Sequence, residues 1–185
     1  MSAITVLYTT TLDPRARPLI DDLIHEYDSR YGNIPGREGA VVELNRYPPA
    51  AFAPPDGNFL LLVRDGETIA GGGFKRYDAI TAELKRVWTR RDLRRQGLAA
   101  RVLAELEAQA LRQDYRRLYL TTGFRQPEAV GLYLDNGYRA EFDRNADPET
   151  LQKLPFTKVL AAAARPAEAE RPDAPGAAAS GSRAA

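Results

Sequence analysis

Arg94, Gly97 and Ala99 stand in the run Arg94-Arg95-Gln96-Gly97-Leu98-Ala99, between a strand-like stretch over 82–89 and a helical one. A turn of this kind can cradle phosphate. The first backbone N–H groups of a helix lack intrahelical partners, and the helix macrodipole adds partial positive charge at the same end. Gly97 has no Cβ, so the backbone there can approach a ligand closely. The run is not a Walker loop, which needs Gly-Lys-Ser/Thr, nor a dinucleotide fingerprint, which needs three spaced glycines. Gly71-Gly72-Gly73 has the spacing of neither.

Composition removes several alternatives. The chain has no cysteine, so disulfides, thiolate metal sites and a cysteine nucleophile are excluded. Its one histidine, His25, excludes a histidine-rich metal site and reads as a surface or packing residue. The serines are Ser2, Ser29, Ser180 and Ser182, none of them in the central motif. Any acyl transfer here is therefore expected to proceed by direct attack of the acceptor, without a serine- or cysteine-bound acyl group and without a metal.

Three segments together resemble the signature of the Gcn5-related N-acetyltransferase (GNAT) superfamily. They are Ala-Glu-Leu-Lys-Arg-Val-Trp-Thr over 82–89, the run 94–99, and Leu132-Tyr133-Leu134-Asp135-Asn136-Gly137-Tyr138. The likeness extends over roughly 58–138, in the family's order and spacing. It implies acetyl-CoA as co-substrate, with the CoA pyrophosphate held by Arg94 and the backbone of Arg95, Gln96, Gly97, Leu98 and Ala99. It implies a cofactor strand that splays from its neighbour at a bulge. Backbone groups near Val87 and Thr89 would then bond the pantetheine and the acetyl carbonyl.

An N-acetyltransferase must also deprotonate an ammonium of pKa near 10, stabilise an oxyanion and reprotonate a departing thiolate. The resemblance assigns the first task to Glu83, often acting through water in the family, and the last to Tyr133, four residues before Gly137. Each has a plainer reading. Glu83 lies near Lys85 and Arg86 and could simply form a salt bridge, while Tyr133 could be a packed core tyrosine. Strand alternation puts Glu83, Lys85, Val87 and Thr89 on one face and Leu84, Arg86 and Trp88 on the other.

The elements that must position these residues follow in order. A strand is predicted over 4–10, then a helix over 16–31 whose Leu19, Leu23 and Tyr27 face inward. Its acidic residues, Asp21, Asp22, Glu26 and Asp28, read as a solvated face, or else as an acidic lining that favours a cationic amine. The Pro- and Gly-rich stretch 32–57 holds a short helical segment over 40–46. The resemblance implies that this stretch borders the acceptor site, which makes it the expected place of acceptor selection. Three strands over 59–63, 68–77 and 81–89 form an antiparallel meander, and the glycine triplet marks a bulge or a close backbone approach. A helix follows Gly97 with Leu98, Val102, Leu103, Leu106 and Ala110 on one stripe. Next come a strand over 117–121, a helix over 127–136, and strands over 138–142 and 154–160.

The expected fold is thus α/β: a GNAT-type mixed, largely antiparallel sheet flanked by helices, in one domain over 1–160. The tail over 161–185 has no large apolar residue and is expected to be disordered. The net charge of +1 excludes a globally basic nucleic-acid binder, and no apolar run is long enough to span a bilayer. A cytoplasmic location is expected, with neither nucleic acid nor membrane as partner. The cluster Lys85, Arg86, Arg90, Arg91, Arg94, Arg95 and Arg101 suits the phosphates of CoA. The function expected is acetyl transfer to a primary amine on a small molecule or peptide. A GNAT-like CoA sensor without turnover and a small nucleic-acid binder are the rivals. Exposed strand edges leave a homodimer open.

Overall fold

The structure is a computed structural model that describes residues 2–160, so the expected disordered tail lies outside the described residues. Seven strands form one sheet: β1 (Thr5–Thr9), β2 (Asn58–Arg64), β3 (Glu67–Arg76), β4 (Thr81–Thr89), β5 (Arg117–Gly123), β6 (Arg139–Ala140) and β7 (Lys153–Val159). The spatial order is β1-β2-β3-β4-β5-β7-β6. Only β4 and β5 run parallel, and the crossover between them is the helix that follows Gly97. The helices are α1 (Arg17–Tyr31), α2 (Ala40–Asn45), α3 (Leu98–Arg112), α4 (Pro127–Asp135) and the short α5 (Pro148–Leu151).

Each face of the sheet has its own core. On one side the α3 stripe of Leu98, Val102, Leu103, Leu106 and Ala110 packs on Leu60, Leu62, Ala70, Ala82 and Leu84. On the other, Leu19 and Leu23 of α1 and Leu44 of α2 pack with Phe52, Phe59, Leu61 and Trp88. The glycine triplet of β3 is explained by this two-sided packing. A Cβ on Gly71 would come within 2.9 Å of a Leu19 methyl on the α1 side, and one on Gly72 within 3.3 Å of a Val102 methyl on the α3 side.

Opposite the triplet, the β3–β4 register shifts between Gly71 and Gly73, and Arg86 takes a left-handed conformation with φ 60°. This bulge corrects the strict alternation expected of β4. Glu83 and Lys85 share the α1–α2 face, as their pairing with Lys75 and Gly73 requires. Past the bulge Trp88 joins that face, while Val87 crosses to pack on the α3 core. Two further expectations change. The strand predicted over 138–142 shrinks to Arg139–Ala140. The proline-rich segment after α2 contains a 3-10 turn, Pro49–Phe52, that buries Phe52.

Candidate active site

The β4–β5 ladder ends at Glu83 opposite Tyr119. From Leu84 onward β4 has no partner on its β5 side, and a cavity of roughly 490 Å³ opens there. Its walls include Tyr27 and Tyr31 of α1, Glu43 of α2, Arg86, Val87 and Thr89 of β4, the first turn of α3, and Tyr133 of α4.

The loop into α3 has the geometry of an anion cradle. Arg95 and Gly97 both adopt positive φ, 61° and 76°, and Gly97 is the N-cap, with no side chain capping the helix. The first backbone donor of the helix to find a carbonyl is Arg101, bonding Gly97 at 3.0 Å. Among the described residues the N–H groups of Leu98, Ala99 and Ala100 find no partner at the cavity wall. Thr89 adds a buried hydroxyl with no hydrogen-bond partner among the described residues. Of the residues expected to hold a cofactor, Val87, Thr89, Arg94, Arg95, Gly97, Leu98 and Ala99 line the cavity. The Gln96 side chain is exposed and does not.

The Arg94 guanidinium turns toward α1, where it meets Glu26 at 2.9 Å. Glu26 also binds Arg30 at 2.8 Å, and Arg30 in turn meets Glu128 of α4. Glu26 is thus buried, with a side chain only 8% exposed, and is not part of a solvated acidic face. The sequence carries that signal. Leu19, Leu23 and Glu26 follow one another at helical spacing, so Glu26 lies on the inward stripe. His25, next to it, is exposed.

Tyr133 is fixed by the end of its own helix. Tyr138 N–H bonds the Tyr133 carbonyl at 3.0 Å, and Gly137 N–H bonds that of Leu134 at 3.1 Å, with Gly137 at φ 79°. This is a Schellman closure, and its usual apolar contact is the edge-on stacking of Tyr138 against Tyr133, centroids 5.5 Å apart. The Tyr133 ring also packs on Phe156 at 5.5 Å. Among the described residues its hydroxyl has no hydrogen-bond partner, and burial pushes its pKa well above the ordinary phenol value. Tyr27, on the opposite wall, is raised in the same way, by burial first and then by the Glu43 charge. Both phenols stay protonated. Tyr31, which sequence reasoning passed over, accepts the Arg125 N–H at 3.2 Å, and its hydroxyl occupies the space a Cβ on Gly123 would need.

Glu83 is buried at the vertex of the splay, between Lys75 at 2.8 Å and Lys85 at 2.7 Å. Both ammonium groups lie over the Tyr47 ring, at 4.4 and 5.6 Å. Burial acts to raise its pKa, but the two lysines outweigh it and hold the carboxyl below the usual glutamate value. Glu83 does not itself line the cavity; Lys85 does. Glu43, partly buried on α2, is a carboxylate that does. Among the described residues no helix is long and apolar enough to cross a membrane, and no three or more His, Cys, Asp or Glu side chains cluster as a metal site.

The model of the acetyltransferase (GNAT) family matches residues 20–138. No curated protein matches the chain. Among solved structures, a Klebsiella pneumoniae protein provisionally designated an acyl-CoA N-acyltransferase is 26% identical, with a TM-score of 0.64, covering 85% of this chain and 97% of that one. A GNAT family acetyltransferase of Staphylococcus aureus is 17% identical, with a TM-score of 0.66 over 86% and 100% of the two chains. The PaiA N-acetyltransferase of Thermoplasma acidophilum, solved with coenzyme A, is 17% identical at TM-score 0.62 over 85% and 99%. A family match across the splayed strand, the anion cradle and the closure of α4 makes this chain a member of the GNAT acetyltransferase family.

Proposed function

We propose that the protein transfers the acetyl group of acetyl-CoA to a primary amine by direct attack in a ternary complex. One observation carries the reading: the cavity at the β4–β5 splay has unpaired helix N–H groups in one wall and an unbonded, protonated tyrosine hydroxyl in another. Residues 94–99 would hold the pyrophosphate, and the free edge of β4 around Val87 and Thr89 would hold the pantetheine. Acetyl-CoA supplies an activated acyl carbon and a thiolate leaving group. The amine nitrogen bonds that carbon as the C–S bond breaks; one amine proton passes to a base, and the sulfur takes a proton from Tyr133.

Glu83 is our assignment for the base, reached through water, because it is the last residue paired before the strands part. Glu43 is the competitor, since it lines the cavity and Glu83 does not. A turnover loss confined to Glu83→Gln or to Glu43→Gln, with cofactor binding intact, decides between them.

Thermal unfolding with and without acetyl-CoA tests the reading. At about a hundredfold excess over the dissociation constant, binding stabilises by roughly 2.7 kcal/mol. We expect a shift that weakens in Arg94→Ala, followed by amine-dependent thiol release. No shift in folded protein would overturn the assignment. A shift without thiol release on a broad amine panel would leave a CoA-binding module without turnover.

A further inference from the structure

The cavity contains a cation that nothing in the acetyl-transfer scheme uses. Arg37, Arg46, Lys85 and Arg94 each have a carboxylate within 4 Å. Arg95 and Lys153 are exposed to solvent. Among the described residues lining the cavity, Arg86 alone is both partly buried and without a carboxylate partner. Its guanidinium lies over the Phe52 ring, 4.4 Å from the centroid, and donates to the Leu44 carbonyl. The guanidinium has five donors, and this one bond leaves most of them without a partner among the described residues.

Such an arrangement is costly unless something completes it. A partly buried charge without a counter-ion is destabilising, and its desolvation depresses the arginine pKa with only the Tyr27 phenol acting the other way. The backbone is also committed to it. Arg86 is the left-handed residue of the β4 bulge, at φ 60°, a conformation that non-glycine residues seldom take. The bulge turns the side chain toward α2 and the Pro49–Phe52 turn, three residues past Glu83. A planar fork of N–H donors matches a carboxylate bidentately.

We propose that Arg86 binds a carboxylate of the acceptor, which makes the acceptor an amino acid or a similar amine bearing a carboxylate. This rests on the acetyl-transfer reading above and adds the substrate class. Phe52 holds the guanidinium plane from one side, and the incoming carboxylate supplies the missing counter-ion.

The test compares wild type, Arg86→Gln and Arg86→Lys on L-amino acids, each paired with its carboxamide and its decarboxylated amine. Thiol release and thermal stability with saturating CoA are both read. In wild type, kcat/KM for the acid should exceed that for its carboxamide at least tenfold. Arg86→Gln should lower this preference about tenfold, mainly through KM, and Arg86→Lys should restore part of it. The stabilisation by CoA alone should be the same in all three proteins. Carboxamides used as well as acids, equal losses on acid and amide, or a lost CoA shift in Arg86→Gln would each overturn the proposal. If no amine turns over, yet acids and not amides stabilise the CoA-loaded protein in an Arg86-dependent way, the carboxylate site stands and acetyl transfer falls. If amines without a carboxylate are acetylated and acids show no advantage in rate or stability, the carboxylate site falls and acetyl transfer stands.

Discussion

Replacing Tyr133 by Phe removes one oxygen from a ring that is otherwise held by Tyr138 and Phe156. Because packing and the helix closure stay, the variant should fold and bind acetyl-CoA while kcat falls about a hundredfold, within the usual range for a lost proton donor. Thiol-release kinetics beside a CoA thermal shift check both halves. Glu83 allows a second residue-scale prediction, with a pH signature. Its carboxyl is held below the usual glutamate value by Lys75 and Lys85, despite the opposing effect of burial. The stability it contributes is therefore present above the unfolded-state pKa and is lost as pH falls through the lower folded value. Glu83→Gln should cost about 2 kcal/mol at pH 7 by leaving two lysines uncompensated. That difference should shrink as pH is taken below about 4.5. Urea unfolding across that range measures it, and a difference that persists at low pH would contradict the ion-pair account.

At the scale of elements, the site depends on two helix ends that need residues in left-handed conformations. Gly97 opens α3 at φ 76°, and a Cβ there would meet open space, so any cost of substitution is conformational and not a clash. Gly97→Ala should lower stability by about 1 kcal/mol and weaken CoA binding as well, because the helix N–H groups are re-aimed. Gly137→Ala strains the Schellman closure by a similar amount but sits at the other wall. It should spare CoA binding and lower kcat by moving Tyr133. The contrast between the two variants, read by CoA-induced thermal shift and by turnover, separates cofactor positioning from proton donation. The ion pairs of Glu26 belong to this scale too, since they join α1 to the loop before α3 and, through Arg30, to α4. Glu26→Gln should destabilise the protein by about 1–3 kcal/mol and raise CoA affinity, because it releases the Arg94 guanidinium for the pyrophosphate.

For the molecule as a whole, β7 is the last described strand and ends at Val159, and Leu160 N–H bonds the Arg116 carbonyl at 2.9 Å. A chain ending at residue 160 should therefore keep the thermal midpoint within about 2 °C, a change of less than 1 kcal/mol for a domain of this size, and keep its response to acetyl-CoA. Calorimetry on both lengths measures this, and a lost transition in the shorter chain would show that the tail contributes to folding.

Much of this was legible in the residues. The apolar stripe of α3, the glycine after the 94–96 turn, the tyrosine four residues ahead of Gly137 and the meander of three strands are local patterns. Their physics is set by neighbours along the chain, so periodicity and turn chemistry reveal them. What escaped is non-local. The bulge at Arg86 depends on β3 having glycine at the facing positions, and it reverses which side chains share a face, something alternation cannot anticipate. The burial of Glu26 depends on an arginine 68 residues away closing over it. The placing of Glu83 behind Lys75 and Lys85 depends on the β3–β4 register. The sequence by itself determined the elements, the anion cradle and the family. Only the tertiary structure decided which charges are paired inside the cavity and that Arg86, among the described residues, has no carboxylate partner, because ion pairing depends on distances that chain order does not specify.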